Sequence, residues 1–278
     1  MDVFNLALTR FFDALLWPFG RWPAAGLVVV SALAGVLMLL IFKAASNQTR
    51  IRRSRDLINA HLLAMRLFRD DAQVLLASQR QVMRANLGYL RWALLPLIFI
   101  MPPVVLMMAQ LELRYGAAPL APGESAVVKV IFEGTPPADA RLSAPGTDDI
   151  RVQAPPVVVE TAALHIPYDA EVDWRVKGQI PGRYELKITT GNRAYTKELI
   201  VGKDGRIGRV SGVKAASLWT RLLHPGEKAP GAGIKKIEVL YPRRGNRIFG
   251  RPVSWVLTFF VVSMVAAFAF KGIIKAEI

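Results

Sequence analysis

Cysteine is absent from this chain of 278 residues. That excludes disulfides, thiolate metal sites, iron–sulfur clusters and thiol catalysis, and any exported part must be held together by its own core. Histidine is nearly absent: His61, His165 and His224 are the three, scattered without metal-ligand spacing. No Walker A, GxSxG, HExxH or dinucleotide fingerprint occurs. Asp169, Glu171 and Asp173 alternate along one strand face, but no glycine turn or later glutamate completes a calcium loop, so they read as a solvated face. Nothing points to an enzyme, and no cofactor or metal is implied. The start, Met1-Asp2-Val3-Phe4, lacks the basic n-region of a cleavable signal peptide. The first apolar run therefore reads as an uncleaved anchor.

Charge is missing from three long apolar runs. Residues 23–42, 92–111 and 252–270 contain no Asp, Glu, Lys or Arg, and each approaches the ~20 residues an α-helix needs to cross a hydrocarbon core. With 53% hydrophobic residues and a mean hydropathy of +0.31, the chain is too apolar for an ordinary soluble domain. It is also too polar to lie wholly in lipid. The prediction is a multi-pass protein of a cell inner (plasma) membrane, with three transmembrane helices and the remainder in water.

The net charge of +15 is unevenly spread. Residues 43–91 hold ten Lys/Arg against three Asp, and short segments rich in Lys and Arg stay in the cytoplasm. Residues 110–251 hold 22 basic and 15 acidic residues over a far longer stretch, and long domains translocate largely regardless of charge. The expected topology is N-out/C-in: 43–91 and the tail 271–278 cytoplasmic, 1–22 and 112–251 extracytoplasmic. Arg243, Arg244, Arg247 and Arg251 then crowd the outer end of the third span, placed to meet lipid phosphates or a partner.

Ahead of the first span, Phe4, Leu8, Phe11, Phe12, Leu15 and Leu16 recur at helical spacing opposite Asp2, Asn5, Thr9 and Asp13. Trp17, Phe19 and Trp22 follow, rings favoured at a membrane surface. Pro18, Gly20 and Pro23 turn the chain inward. Residues 1–22 thus read as an amphipathic helix in the outer interface.

Residues 43–91 divide at Arg69-Asp70-Asp71. Ile51, Ile58, Leu62, Met65 and Phe68 form one apolar stripe; Val74, Leu75, Val82, Ala85 and Tyr89 form another. Asp70 or Asp71 suits the N-cap of the second helix. The pattern predicts a basic antiparallel helical hairpin, coiled-coil-like, with Arg52, Arg55, Arg66, Arg69, Arg80 and Arg84 on its polar face. Such a face is either a solvated topology signal or a contact for anionic lipid, ribosome or acidic nascent chain. No motif for a specific nucleic acid sequence accompanies it.

This order of elements resembles the YidC/Oxa/Alb superfamily of membrane protein insertases. The run Leu95-Pro96-Leu97-Ile98-Phe99-Ile100-Met101-Pro102-Pro103 is similar to the Leu-Pro-hydrophobic-Met-Pro stretch after that family's hairpin, and Leu15-Leu16-Trp17-Pro18-Phe19-Gly20-Arg21-Trp22 is similar in character to its entry segment. Three spans, N-out and C-in, resemble the small branch: archaeal homologues, the Get-pathway receptor and the related subunit of the ER membrane complex. The resemblance covers residues 1–111 and the last span. It implies a polar groove among the spans that receives hydrophilic substrate segments. Family members often place one arginine there; here the candidates are the hydroxyls of Ser31, Ser254, Thr258 and Ser263. The alternative for these hydroxyls is bonding to their own helix or packing between helices.

Between the second and third spans, where small members have a short loop, β-rich runs occur at 126–132, 150–153, 157–160, 171–176, 183–189, 194–201 and 234–240. Pro181-Gly182 and Gly191-Asn192 mark turns. Spacing near ten residues and a single buried-looking Trp174 predict an immunoglobulin-like or fibronectin-like sandwich. Leu218, Trp219, Leu222 and Leu223 suggest a short helix within the Gly- and Lys/Arg-rich stretch 202–233.

The fold class expected is therefore membrane α plus β. The expected function is an insertase-like factor that assists membrane protein insertion or assembly. The alternative is a non-catalytic scaffold or accessory subunit of a membrane complex that binds partners through the β domain. Membrane lipids are partners in either case.

Overall fold

The structure is a computed structural model and describes residues 2–46, 53, 56–60, 62–63, 67, 72–145, 155–202, 207–248 and 251–274. The turn expected at Asp70-Asp71, the basic residues Arg52, Arg55, Arg66 and Arg69, and the run 150–153 lie outside the described residues. The chain divides into two compact units, residues 1–27 with 106–258 and residues 28–105 with 259–278.

Among the described residues, three helices are long and apolar enough to cross a membrane. They are α2 (Pro23–Ala45), the second half of α3 (Ala72–Leu111) and α5 (Trp255–Ile274). Each extends beyond the uncharged run that announced it, so Lys43 and Lys271 fall in the last turns of α2 and α5, where a cation suits the helix dipole. Helix α3 is 40 residues long and carries Pro96, Pro102 and Pro103 without breaking. The boundary expected between hairpin and span at residue 91 is not a break in structure but a point inside one helix. Before α2 come α1 (Asp2–Leu16) and a 3-10 turn over Trp17–Phe19.

In the second unit, α2 and α5 meet backbone to backbone. A Cβ at Gly35 would lie 2.1 Å from the Ser263 carbonyl oxygen. A glycine at the crossing is what lets the two helix backbones approach this closely.

In the first unit a π turn, Glu112–Gly116, ends α3 and leads, among the described residues, into nine strands of three or more residues and a short helix. The strands are β1 (Ser125–Phe132), β2 (Arg141–Ser143), β3 (Val157–Val159), β4 (Leu164–Ile166), β5 (Glu171–Gly178), β6 (Gly182–Thr190), β7 (Arg193–Val201), β8 (Val213–Ala215) and β9 (Ile234–Val239), with α4 (Leu218–Leu223) between the last two. One antiparallel sheet runs β3-β5-β1-β9-β8, with β4 also on β5; the other runs β2-β6-β7. Their inner faces share one core: Val128, Val130, Val172, Trp174 and Ile237 from the first, Leu186, Ile188, Leu199 and Val201 from the second. The alternating burial of β1 and β7 follows from a period of two with one face covered. Gly191, at φ +52°, makes the β6–β7 turn and donates its N–H to Asp139 Oδ2 at 2.6 Å. Leu120 bridges Val201 in parallel, so the chain enters the sandwich along the free side of β7.

The sequence did not announce β2, β4 or β8. Each has three residues, too short for alternation to register. The third apolar helix begins at Trp255, and Arg251–Pro252 ahead of it pairs with Arg247–Ile248 in a two-rung ladder.

Candidate functional site

Two of the four hydroxyls expected to line a groove, Thr258 and Ser263, bond to their own helix. Thr258 Oγ1 donates to the Ser254 carbonyl at 3.1 Å, one turn back on its own helix. Ser263 Oγ donates to the Phe260 carbonyl at 3.0 Å and is buried beside the Gly35 crossing. Ser31 is fully buried one turn before Gly35, on the same face of α2. Ser254 is exposed at the start of α5. In this arrangement Thr258 and Ser263 serve helix backbone and packing. Of the basic residues, Arg80 and Arg84 are exposed and share one face of α3.

The densest polar cluster is one the sequence reading passed over. The π turn inserts an extra residue into the end of α3, and Leu113, Arg114 and Tyr115 in succession become buried. Arg114 is 1% exposed. Its Nη1 donates to the Gln110 carbonyl at 2.7 Å and to Gln110 Oε1 at 2.9 Å. Its Nη2 donates to the Thr9 carbonyl at 2.9 Å and to Asp13 Oδ1 at 2.6 Å. Gln110 Nε2 completes the ring with Thr9 Oγ1 at 3.1 Å. On the other side Arg244 Nη1 donates to the Arg114 carbonyl at 2.5 Å, Asn246 Nδ2 to the Tyr115 carbonyl at 3.2 Å and Tyr115 OH to the Pro23 carbonyl at 3.0 Å. Together these bonds clamp α1, the start of α2 and the end of α3 to the chain leaving β9.

This geometry fixes which way α1 faces. Asn5, Thr9, Phe12 and Leu16 are buried, whereas Val3, Phe4, Leu6 and Phe11 are exposed. The polar stripe that looked solvent-facing is docked, and much of the apolar stripe is free. A signal was present in the sequence: Asp13 extends the Asn5/Thr9 stripe, and Gln110 and Arg114 stand four apart on the next polar face to come.

Two further charged clusters belong to the β sandwich. Lys197 is fully buried on β7; its Nζ donates to the Ser211 carbonyl at 2.6 Å and to Glu227 Oε1. Burial pushes its pKa down, and Glu227 opposes that. On the outward face of the larger sheet Lys129 sits opposite Asp173 and pairs with Glu171 at 2.7 Å and with Asp173 at 3.5 Å. Burial and the neighbouring Glu171 push the Asp173 carboxyl up. Among the described residues no group of three His, Asp or Glu side chains is placed to hold a metal ion. His165 Nε2 lies 3.0 Å from the Pro137 carbonyl. His224 follows α4, and burial, then Lys236, hold its pKa below the ordinary value.

No protein-family model matches the chain, and no curated protein matches it. Among solved structures it is similar to domains 4 and 5 of the S-layer protein SbsC, at 17% identity and a TM-score of 0.24 over 32% of this chain and 48% of that one. A longer piece of the same S-layer protein, rSbsC(31-844), is 16% identical with a TM-score of 0.22, over 45% of this chain and 20% of that one. The chain thus spans less than half the length of the structures it matches.

Proposed function

We propose that this protein is a membrane-embedded scaffold of insertase-like architecture that holds the membrane helix of a partner protein along α3. The observation that carries the reading is an apolar stripe on that helix. Met83, Leu87, Leu90, Leu94, Leu97 and Met101 follow one another at alternating four- and three-residue steps and are all exposed, from 47% to 62%. That is the spacing of a helix–helix seam, some 27 Å long at 1.5 Å per residue. It starts well before the uncharged run that begins at residue 92, so lipid alone does not account for it. Methionine at both ends suits a surface that adapts to its partner.

In this reading α2, the second half of α3 and α5 span an inner membrane, N-out and C-in. The density of basic residues between the first two supports that orientation. The sandwich then lies outside the cytoplasm. An immunoglobulin-like assignment for it is supported by strand order. β3-β5-β1 and β2-β6-β7 correspond to the D-E-B and C-F-G sets of that fold, and β9 takes the first strand's place beside β1, with β8 added outside it. Such a sandwich is a common binding module, but the fold by itself names no partner.

An active insertase is the second reading, favoured by the order of elements in residues 1–111 and by the exposed pair Arg80 and Arg84. The internal bonding of Thr258 and Ser263 weighs against a hydrated groove. Photo-crosslinkers at Leu87 and Leu94, with Ala85 as the opposite-face control, separate the two. The scaffold reading expects one stoichiometric membrane partner from 87 and 94 and little from 85. A spread of ribosome-bound nascent chains from the same positions would establish the insertase instead. Equal crosslinking from 85 would refute the seam. Labelling single cysteines at 78 and 190 in this Cys-free chain tests orientation: position 190 should react from outside and position 78 should not.

A further inference from the structure

We propose that a cavity edged by Asp13, Trp17, Arg114, Arg183, Ile207 and Arg209 binds the phosphate of an anionic phospholipid, an inference that rests on the membrane reading above. The cavity measures about 270 Å³, below the range of drug-sized pockets and suited to a phosphodiester with its glyceryl carbons. Its charge is unbalanced. Three guanidiniums face one carboxylate, Asp13. Arg114 spends its donors on Gln110, Thr9 and Asp13. Arg209 reaches Asp13 only through Nε, at 3.5 Å, and among the described residues its Nη groups meet no acceptor. Arg183 gives Nη1 to Glu198 at 3.1 Å and is otherwise open, its side chain 59% exposed. Asp13 therefore serves two guanidiniums, and two planar forks of donors remain at the mouth, the geometry that phosphate oxygens satisfy.

The rim says what carries the phosphate. Trp17 is 84% exposed and Trp22 is 74% exposed, and both stand just ahead of Pro23, the first residue of an apolar helix. Exposed tryptophans at the end of an apolar helix mark headgroup depth. Trp17, Gly20 and Ile207 also line a second, more open cavity of about 620 Å³ with Pro18, Phe19, Arg21 and Trp22. A headgroup in the first cavity thus continues into an aromatic trough that accepts the upper carbons of an acyl chain. A free phosphate would use the arginines and leave that trough empty.

The test uses the full chain purified in mild detergent, with native mass spectrometry against dioleoyl phosphatidylglycerol and dioleoyl phosphatidylcholine. One phosphatidylglycerol should be retained roughly thirtyfold more strongly than phosphatidylcholine, the value expected of two basic side chains at a lipid surface. Arg183→Gln with Arg209→Gln should erase that preference, Arg183→Lys with Arg209→Lys should keep most of it, and Arg80→Gln with Arg84→Gln should leave it unchanged. Circular dichroism and thermal melting of each variant separate lost binding from lost folding. Equal retention of the two lipids, or a preference that survives the double glutamine variant, would overturn the site. Displacement of the lipid by millimolar inorganic phosphate alone would assign the cavity to a free phosphate and overturn the lipid. Release of the protein into the soluble fraction by carbonate, without detergent, would instead fail the membrane reading, and that readout is independent of the arginines.

Discussion

Removing the Asp13 carboxylate is the sharpest way to test the Arg114 cluster. Arg114 is 1% exposed and Asp13 36%, so the pair is buried at one end and open at the other. Asp13→Ala deletes one charge-assisted hydrogen bond of 2.6 Å, worth about 1.5–3 kcal/mol. Breaking a fully buried ion pair costs about 3–5 kcal/mol, but water reaches Asp13 and screens the charge that is left. Three other bonds also remain to hold the guanidinium. The expected cost is therefore about 2 kcal/mol, near the lower figure. For a folding unit made of residues 1–27 and 106–258, that lowers Tm by about 4–8 °C.

Asp13→Asn keeps an acceptor and loses the charge, so it should cost about half as much. Arg209→Gln removes the second partner of Asp13, but that contact is 3.5 Å long with both side chains more than a third exposed, and it should move Tm by less than about 1 °C. The assay is intrinsic-fluorescence melting of the full chain in mild detergent. Limited trypsin digestion at Arg10 provides a second readout, since α1 must loosen before it is cut. A shift below about 1 °C for Asp13→Ala, or equal effects of Asp13→Ala and Arg209→Gln, would show that α1 is not held by this ion pair.

Three other outcomes follow from separate parts of the molecule. Lys197→Met leaves Glu227 largely buried with Lys214 at 4.0 Å and the Glu198 N–H at 3.4 Å, and should cost about 3 kcal/mol, of which adding Glu227→Gln should restore at least half in a double-mutant cycle. Gly35→Ala drives a methyl into the Ser263 carbonyl, whereas Gly272→Ala meets nothing within 4 Å; the first should destabilise by more than about 2 kcal/mol and the second should be neutral or slightly stabilising in detergent melts. His224 is held below its ordinary pKa by burial, then by Lys236, so the unfolded chain takes up the proton first as the pH falls. Its contribution to stability is complete above the unfolded value of about 6.5 and is lost below it, with a slope of at most about 1.4 kcal/mol per pH unit. His224→Gln should flatten the denaturation midpoint between pH 7 and pH 5 relative to the wild type.

Those elements were legible from sequence to unequal degrees, and the reasons are physical. The apolar helices were plain because length and absence of charge are the signal itself, and α2 and α5 extend only a turn past their uncharged runs. The long strands β1, β5, β6 and β7 showed as alternating runs bounded by Gly and Pro, as did the turn at Gly191. Of the three-residue strands only β3 showed, through its run of valines; β2, β4 and β8 did not, since they are specified by their partners: Val213–Ala215 is a strand because β9 presents Ile237 and Lys236 to it. A sandwich was expected, but which strands share a sheet was not legible, because pairing between Arg141–Ser143 and β6 depends on residues some 45 positions away.

The site was least legible where polarity was taken as a sign of exposure. A stripe of Asn5, Thr9 and Asp13 looks solvated when the helix is read by itself, and Phe4 and Phe11 look like its anchor. The structure reverses this for a specific reason. The end of α3 brings a buried arginine and a glutamine whose donors take five acceptors, and α1 supplies three of them, the Thr9 carbonyl, Thr9 Oγ1 and Asp13 Oδ1. A buried guanidinium is tolerated only where acceptors surround it, so the polar face of α1 turns inward, and Phe4 and Phe11 turn out while Phe12 stays buried. Once Phe4 at 51% and Phe11 at 61% exposure join Trp17 and Trp22 on the outside, the same inversion that completes the arginine's hydrogen bonds also gives this end of the protein an apolar surface. Docking α1 through its polar side and presenting its aromatic side outward are thus two consequences of one residue, Arg114, being placed by a π turn at the end of an apolar helix.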